Sequence, residues 1–566
     1  MRQPFRISAL PRRSRRALVC AFFLAFLALG LLTVPDYGQP WDEADEMDIL
    51  RMNLWEYARA FRLDERVFET LAARDSLSIN ALVPISQSVE RDHGQCAFYP
   101  LAGLVLDENI DGRRLMLLWH GYCWVLFTLG AFALYACCRQ LGLPRWTGLL
   151  AAAFLLLSPR FFAEGHYNNK DIVLFSLCLC TLWQGLALMR RPGFLRALAF
   201  SFFGAAAANT KLAGLAVWGL CALFVLLVQI ARKRLNRRAL LVGLTTLSSL
   251  AFFYALLTPA MWSDPAGFFR HLVANSVAFS RWENYVLFRG TVFATYAQPL
   301  PRYYLPYMVL ATTPLWLLLM MAAGQAAAIC TVVRGPGAPL RSDQAAGLLL
   351  VSLLWLFPLG FAIASRTPVY NGWRHFYFLY GPLLLLAAYG AHALLGLRPR
   401  RRPLPRAAIA AALAVCMASG GIGLAVQHPY TYTYYQPLVQ ARNDGAFLEL
   451  DYWNVSVHSA LLQLLDQTTG ELRVGYADAW AEAGLRRGTP ALPEDARARI
   501  TIVDDPREAR YVLANPTYTL YSGYTPQPGA SVRVSVEAYG LPIMLVYQNN
   551  PGPTGKGGTR FASSRV

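Results

Sequence analysis

The chain has 566 residues, 55% of them hydrophobic and 15% charged, with a formal net charge of +18 and a mean hydropathy of +0.33. That balance excludes an ordinary soluble multidomain enzyme and predicts a polytopic membrane protein. The positive charge alone would suit a nucleic-acid-binding surface, but the arginines fall in separate short hairpins and not on one face, so no nucleic acid is expected as a partner.

Apolar stretches close to the ~20 residues that cross a bilayer occupy 17–34, 115–138, 146–157, 171–189, 194–208, 212–230, 239–258, 304–333, 345–364, 376–395 and 407–426, about eleven spans in all. The third and fifth are short, which leaves room for a count of nine or ten. The first reads as a retained span and not a cleaved signal peptide, because no small-residue cleavage site follows it and an acidic run begins at once. Arg12, Arg13, Arg15 and Arg16 precede it; Arg190 and Arg191, then Arg232, Lys233, Arg234, Arg237 and Arg238, then Arg398, Arg400, Arg401 and Arg402 fall in alternate short loops. This positive-inside pattern puts the N-terminus in the cytoplasm and, with an odd number of spans, the C-terminal segment outside. Nearly all of the 10 cysteines lie in or beside apolar stretches, Cys96 being the exception, so they read as small buried hydrophobes and supply neither a disulfide framework nor a metal site. The absence of a repeat at fixed period disfavours a solenoid and a transporter built of repeated halves.

The segments expected on the outer face are 35–114, 158–170, 259–303 and 365–375, followed by a tail over 427–566. In the first of these, 49–61 and 67–73 carry apolar residues at helical spacing, as helices lying on the membrane surface and roofing a cavity would. The tail begins with Glu449-Leu450-Asp451-Tyr452-Trp453 and a helical run to about Leu465. Strand-like stretches then follow at 471–476, 498–503, 511–514, 531–538 and 543–547. The expected organisation is an all-α membrane domain over 1–426, with outer-face loop helices and the catalytic carboxylates in 35–114, joined to a small soluble α/β domain over 427–566 whose end beyond Asn549 is disordered.

Three constellations could carry chemistry. Asp42 and Glu43 open an acidic run directly after the first span, where mutual repulsion and a low-dielectric neighbourhood raise the pKa of at least one carboxyl toward that of a general base. The second is the run from Ser158 to Asp171, dense in donors and acceptors. A purely structural role suits Asn168 and Asn169 as the turn and Asp171 as the cap of the next helix, but it leaves Arg160, His166 and Lys170 unexplained. The third pairs Arg366 with Arg374 and His375 in a short outer loop, where arginine is usually avoided; these residues suit a lipid phosphate, with snorkelling to ordinary headgroups as the plainer reading. Lys211 interrupts an apolar stretch at an outside turn, where a cation needs a partner. Asp92 and His93, near Glu90, could contact substrate or a metal or simply form a polar turn, and two mixed ligands are too few to claim a metal.

Through Trp41-Asp42-Glu43, Ser158-Pro159-Arg160 with Asn168-Asn169-Lys170-Asp171, Thr210-Lys211, Trp373-Arg374-His375, His428-Pro429-Tyr430 and Glu449 to Trp453, the chain resembles the GT-C superfamily of integral-membrane glycosyltransferases. The likeness is to the bacterial branch similar to protein O-mannosyltransferases and the aminoarabinose transferase of lipid A. The resemblance implies a multi-pass protein of the bacterial inner membrane that transfers a sugar, with inversion, from a polyprenyl-phosphate donor to a lipid, glycan or protein acceptor on the extracytoplasmic side. It implies Asp42, then Glu43, as the base. Arg374, Arg366, Lys211, Arg160, Lys170 and His375 are expected on the donor phosphate, and Asp92, His93, His166, Asn168, Asn169 and Asp171 on the substrates. Cationic side chains can stabilise the leaving phosphate, so no cofactor is required, although a divalent metal is possible. The chain lacks the carbohydrate-binding repeat domain of the protein mannosyltransferases. The competing expectations are a metal-dependent oligosaccharyltransferase using a pyrophosphate-linked donor, with Asp42, Asp45 or Asp92 as ligands, and a lipid-sugar flippase.

Overall fold

The computed structural model describes residues 12–73, 81–277, 285–335, 337–369, 371–396 and 406–550. The expected disordered end and Arg398, Arg400, Arg401 and Arg402 lie outside the described residues. Among the described residues nine helices are long and apolar enough to cross a membrane: Arg13–Asp36, Gly112–Gln140, Asp171–Arg190, Ala213–Ala231, Arg237–Leu257, Leu315–Arg334, Asp343–Ser365, Arg374–Gly396 and Arg406–Gln427. The chain is therefore a multi-pass membrane protein with a small C-terminal sheet region.

The two short spans of the sequence are the ones that depart from the simple pattern. Arg145–Leu156 continues into Pro159–Tyr167 at a bend of 76°. Proline disfavours the helical region for the residue before it, and Ser158 accordingly sits extended at φ −91°, ψ 105°. Phe194–Thr210 has 17 residues, about 26 Å of helix, short of the ~30 Å hydrocarbon core. The expected span over 304–333 is a correction of a different kind, because it is two helices, Tyr304–Thr312 and Leu315–Arg334. Thr313, extended at ψ 133° before Pro314, separates them.

Asp171–Arg190 is the axis of the bundle, with 89% of its most apolar window buried, as a helix hydrophobic all round must be. At one end of the bundle Arg190 Nε lies 3.1 Å and Arg232 Nη1 2.7 Å from the Asp343 carboxylate. At the other end Lys211 Nζ lies 2.5 Å from Asp171 Oδ1. The segment between the first two spans supplies the helices Glu43–Ala60 and Arg66–Ala73.

Between the spans a hairpin pairs β1 (Tyr285–Phe288) with β2 (Thr291–Ala294). Its two-residue turn, Arg289 and Gly290, has φ of 52° and 78°, the left-handed pair such a turn demands. In the tail, β3 (Leu472–Tyr476), β4 (Ile500–Ile502), β5 (Tyr511–Ala514), β6 (Ser531–Ala538) and β7 (Leu541–Gln548) form one sheet in the order β4-β3-β5-β7-β6. Its first three strands are parallel and β7 and β6 antiparallel. The helix Ala479–Gly488 crosses between β3 and β4 and is capped by Asp478, which accepts from the amides of Trp480 and Ala481 at 3.0 and 2.9 Å. A bridge between Phe288 and Leu448 ties the hairpin to the tail.

Candidate active site

Where the chain enters the helix Glu43–Ala60, its first turn carries Glu43, Asp45 and Glu46, the end of a helix that favours negative charge. Successive residues point in different directions, and each carboxylate meets a different partner. Glu43, 2% exposed, sits 2.7 Å from His120 Nε2 inside the bundle. Asp45 is held by Arg487 at 2.9 Å. Glu46 accepts from Lys170 Nζ at 2.8 Å and from Gln95. Asp42 faces a cavity of about 310 Å3 lined also by Glu43, Glu46, Lys170, Lys211, Arg374 and Trp453.

Asp42 Oδ2 accepts a hydrogen bond from Trp453 Nε1 at 3.0 Å, and Arg374 Nη1 lies 3.8 Å away. Burial pushes the Asp42 carboxyl up, Arg374 pulls it back, and Glu46, the Trp453 bond and Asp45 adjust the balance, leaving it at about 6. With 28% of its side chain exposed, it remains reachable. These are the attributes of a general base working near neutral pH.

The opposing charge comes from the loop before the helix Tyr380–Gly396. Asn371 and Gly372 take φ of 48° and 78°, a reversal that glycine and asparagine tolerate best. The Gly372 amide donates to Tyr304 Oη at 2.9 Å, Trp373 Nε1 to Thr312 Oγ1 at 2.8 Å, and Asn371 Nδ2 to Glu449 at 3.2 Å. Burial lifts the Glu449 carboxyl to about 7, against the hydrogen bonds of Tyr521 and Asn371. Fixed by these contacts, Arg374 and His375 line the cavity, with the Arg374 guanidinium 4.8 Å from the centre of the Trp453 ring. Lys211 follows the helix Phe194–Thr210, and burial lowers its ammonium pKa despite Asp171. Burial also opposes the charge on Lys170, but Glu46 outweighs it and the net direction is upward.

The structure brings Asp42, Glu43, Asp92, His93, Asn168, Asn169, Lys170, Asp171, Lys211, Arg374 and His375 around one cavity. Within that set Asn168 makes the turn, its Oδ1 accepting from the Asp171 amide at 2.8 Å and its Nδ2 donating to Glu164 at 2.9 Å. Asp92 accepts from Asn275 at 3.1 Å and His93 pairs with Glu90 at 2.5 Å. Three expected site residues lie elsewhere. Arg160 is 2% exposed, donates through Nε to the Tyr434 carbonyl at 3.0 Å and covers the Tyr435 ring. His166 is fully buried, 2.9 Å from Thr33 Oγ1 and stacked on Tyr37. Both lie on the helix that begins at Pro159, all nine residues of which are buried in the protein. Arg366 is exposed at the left-handed end of Asp343–Ser365 and lines a neighbouring groove with Pro301 and Arg302.

Sequence reasoning missed Trp453, Glu46 and Asn275 as cavity residues. Trp453 was visible in the tail run ending Tyr452-Trp453, but nothing in a linear pattern shows that it returns to the first loop. Among the described residues no three His, Cys, Asp or Glu side chains are placed to hold a metal ion. Of Asp42, Asp45 and Asp92, the first and third line the cavity, while Asp45 is engaged by Arg487.

No family model matches the chain, and no curated protein matches its sequence significantly. Among solved structures it is similar to ArnT from Cupriavidus metallidurans bound to undecaprenyl phosphate, at 15% identity and a TM-score of 0.44, covering 95% of this chain and 99% of that one. It is also similar to the apo oligosaccharyltransferase of Archaeoglobus fulgidus, at 12% identity and a TM-score of 0.42 over 86% of this chain and 65% of that one. A further likeness is to the arabinofuranosyltransferase AftD from Mycobacteria, at 17% identity and a TM-score of 0.44 over 95% of this chain and 42% of that one. Likenesses at these levels carry no argument about activity, which has to come from the cavity itself.

Proposed function

We propose that the chain is a GT-C-type membrane glycosyltransferase that moves a sugar from a polyprenyl-phosphate donor to an acceptor hydroxyl on the extracytoplasmic side. The observation that carries this reading is a carboxylate at about 6, Asp42, sharing one cavity with Arg374, Lys211, Lys170 and His375. The cavity lies at the end of the bundle opposite the arginine-rich hairpins, which is the outer end under the positive-inside rule.

Asp42 takes the proton of the acceptor hydroxyl as its oxygen attacks the anomeric carbon. The bond from that carbon to the carrier phosphate breaks, and its electron pair leaves with the lipid monophosphate. Charge developing on the phosphate is met by the Arg374 guanidinium and the Lys211 ammonium, cations that stabilise the transition state without reorganising. A single displacement inverts the anomeric centre. Glu43 holds His120 through Oε2 at 2.7 Å, and Asp42 serves as the base.

The test is the purified full-length chain in detergent with a radiolabelled polyprenyl-phosphate sugar and an envelope extract as acceptor source. Transfer of label with release of lipid monophosphate supports the reading, and transfer without a sealed vesicle excludes pure transport. Transfer from a pyrophosphate-linked donor alone would overturn it in favour of the oligosaccharyltransferase chemistry.

A further inference from the structure

Three helices, Phe194–Thr210, Ala213–Ala231 and Arg237–Leu257, enclose an apolar groove of about 760 Å3 at the end of the bundle away from the candidate active site. Trp218, Ala222, Val225, Leu226 and Gln229 contribute to it. These positions recur at helical spacing and so form one face of a single helix. Gln229 lies 17 residues beyond Leu212 of the active-site cavity, about 25 Å along the axis. Gln229 Nε2 donates to the Met189 carbonyl at 3.0 Å, fixing this wall of the groove to the central helix. The other wall begins with Asn236, whose side chain accepts from the Ala239 amide at 2.9 Å and fixes the start of Arg237–Leu257 at the groove's mouth.

The mouth is strongly basic. Arg232, Lys233, Arg234, Arg237 and Arg238 fall within seven residues, and only Arg232 is committed, at 2.7 Å from Asp343. Lys233, Arg234, Arg237 and Arg238 are exposed and make no ion pair among the described residues. The N-terminal end of Arg237–Leu257 adds the positive pole of a helix.

We propose that this groove is a binding site for an anionic glycerophospholipid, its acyl chain between the three helices and its phosphate on Arg234 and Arg237. An apolar slot opening into bilayer accepts any hydrocarbon chain, and the basic mouth selects the charged headgroup over the zwitterionic one. The site is independent of the transfer chemistry proposed above. Gly243 supplies a probe, because it lines the groove and a Cβ added there meets nothing within 4 Å; leucine at that position carries its branched side chain on that open Cβ.

The experiment is native mass spectrometry of delipidated full-length protein in detergent, titrated with dioleoyl phosphatidylglycerol or dioleoyl phosphatidylcholine. The wild type is expected to retain phosphatidylglycerol preferentially. Arg234→Gln with Arg237→Gln should lower its affinity roughly tenfold or more, from ~1 kcal/mol per basic residue, and Gly243→Leu should remove the bound lipid while leaving the lipid-free melting temperature unchanged. Equal retention of phosphatidylcholine by the wild type, or unchanged phosphatidylglycerol binding in both variants, would overturn the proposal. So would displacement of phosphatidylglycerol by undecaprenyl phosphate with the same sensitivity to Gly243→Leu, since the groove would then belong to the donor's tail.

Discussion

Replacing Asp42 with asparagine separates the catalytic and structural roles of that position. Asparagine keeps an oxygen for the Trp453 Nε1 donor at 3.0 Å but has no useful basicity, so transfer should fall by roughly two to four decades while donor affinity changes little. The same substitution should stabilise the fold. The climb of the carboxyl from 3.8 to about 6 means that the folded state binds a proton more tightly than the unfolded one. Its contribution is therefore greatest below the unfolded value and is lost as pH rises through about 6. At pH 7 the ionised group opposes folding by up to ~3 kcal/mol, which the neutral amide relieves. In the wild type the acid limb of the rate profile should have its midpoint near 6, with transfer at pH 5 about a tenth of the plateau. Turnover and donor binding of purified protein, with thermal unfolding followed from pH 5 to 8, check all three expectations. Near-normal turnover in Asp42→Asn would refute the assignment of the base, and an acid limb centred at the ordinary carboxylate value would refute the argument from burial. Glu43→Gln serves as the contrast: it alters a buried contact to His120 and should cost stability before it costs turnover.

Arg374→Ala should weaken donor binding by about one to two decades, the worth of a charge-assisted contact of roughly 1.5 to 3 kcal/mol to a phosphate, and Arg374→Lys should restore only part of it because lysine lacks the planar fork; donor titration of both variants decides. Trp453→Phe removes a hydrogen bond that favours the ionised form of Asp42, so the acid limb of the rate profile should move upward by about one pH unit, and an unmoved limb would show that the indole does not act on the carboxyl. Single cysteines introduced near Leu235 should label from the cytoplasm and those near Asp64 or Phe293 from the outside, since Lys233, Arg234, Arg237 and Arg238 surround the first position; the reverse result would place the cavity on the cytoplasmic face and remove a periplasmic acceptor.

Much of this architecture is legible in the linear chain because its determinants are local. Hydrophobic runs long enough to cross a bilayer need no tertiary information, and the strand-like stretch 531–538 coincides with β6 because alternation shows there at single-residue resolution. Asp42, Lys211 and Arg374 could be found for a related reason, since charge beside an apolar run is costly and therefore conspicuous. Arg160 and His166 misled because composition shows that a segment is polar but not which way it faces. Pro159 converts the segment to a helix, and its side chains then satisfy internal acceptors instead of the cavity. The break at Pro314 was equally local, but it was overridden by the continuous hydrophobicity on both sides. Trp453 stayed hidden because its role depends on a contact across 411 residues of sequence.

That long-range contact also explains how one carboxylate in a crowded acidic turn keeps a base's properties. Four acids within five residues would repel one another, and an unpaired cluster at the membrane surface would titrate as a group. Here each neighbour has its own partner from a different part of the chain: Glu43 with His120 of a span, Glu46 with Lys170 of a second loop, and Asp45 with Arg487 of the tail. Repulsion from Asp45 and Glu46 is thereby reduced to minor contributions, and burial against Arg374 decides where Asp42 titrates. The tail is consequently part of the candidate site, since its Trp453 and Arg487 act on two of these acids and its Glu449 braces the loop that delivers Arg374. Residues of the tail that precede its sheet or lie on its crossover helix, Trp453 and Arg487, thus act on the charge of a cavity whose other walls come from the first 426 residues.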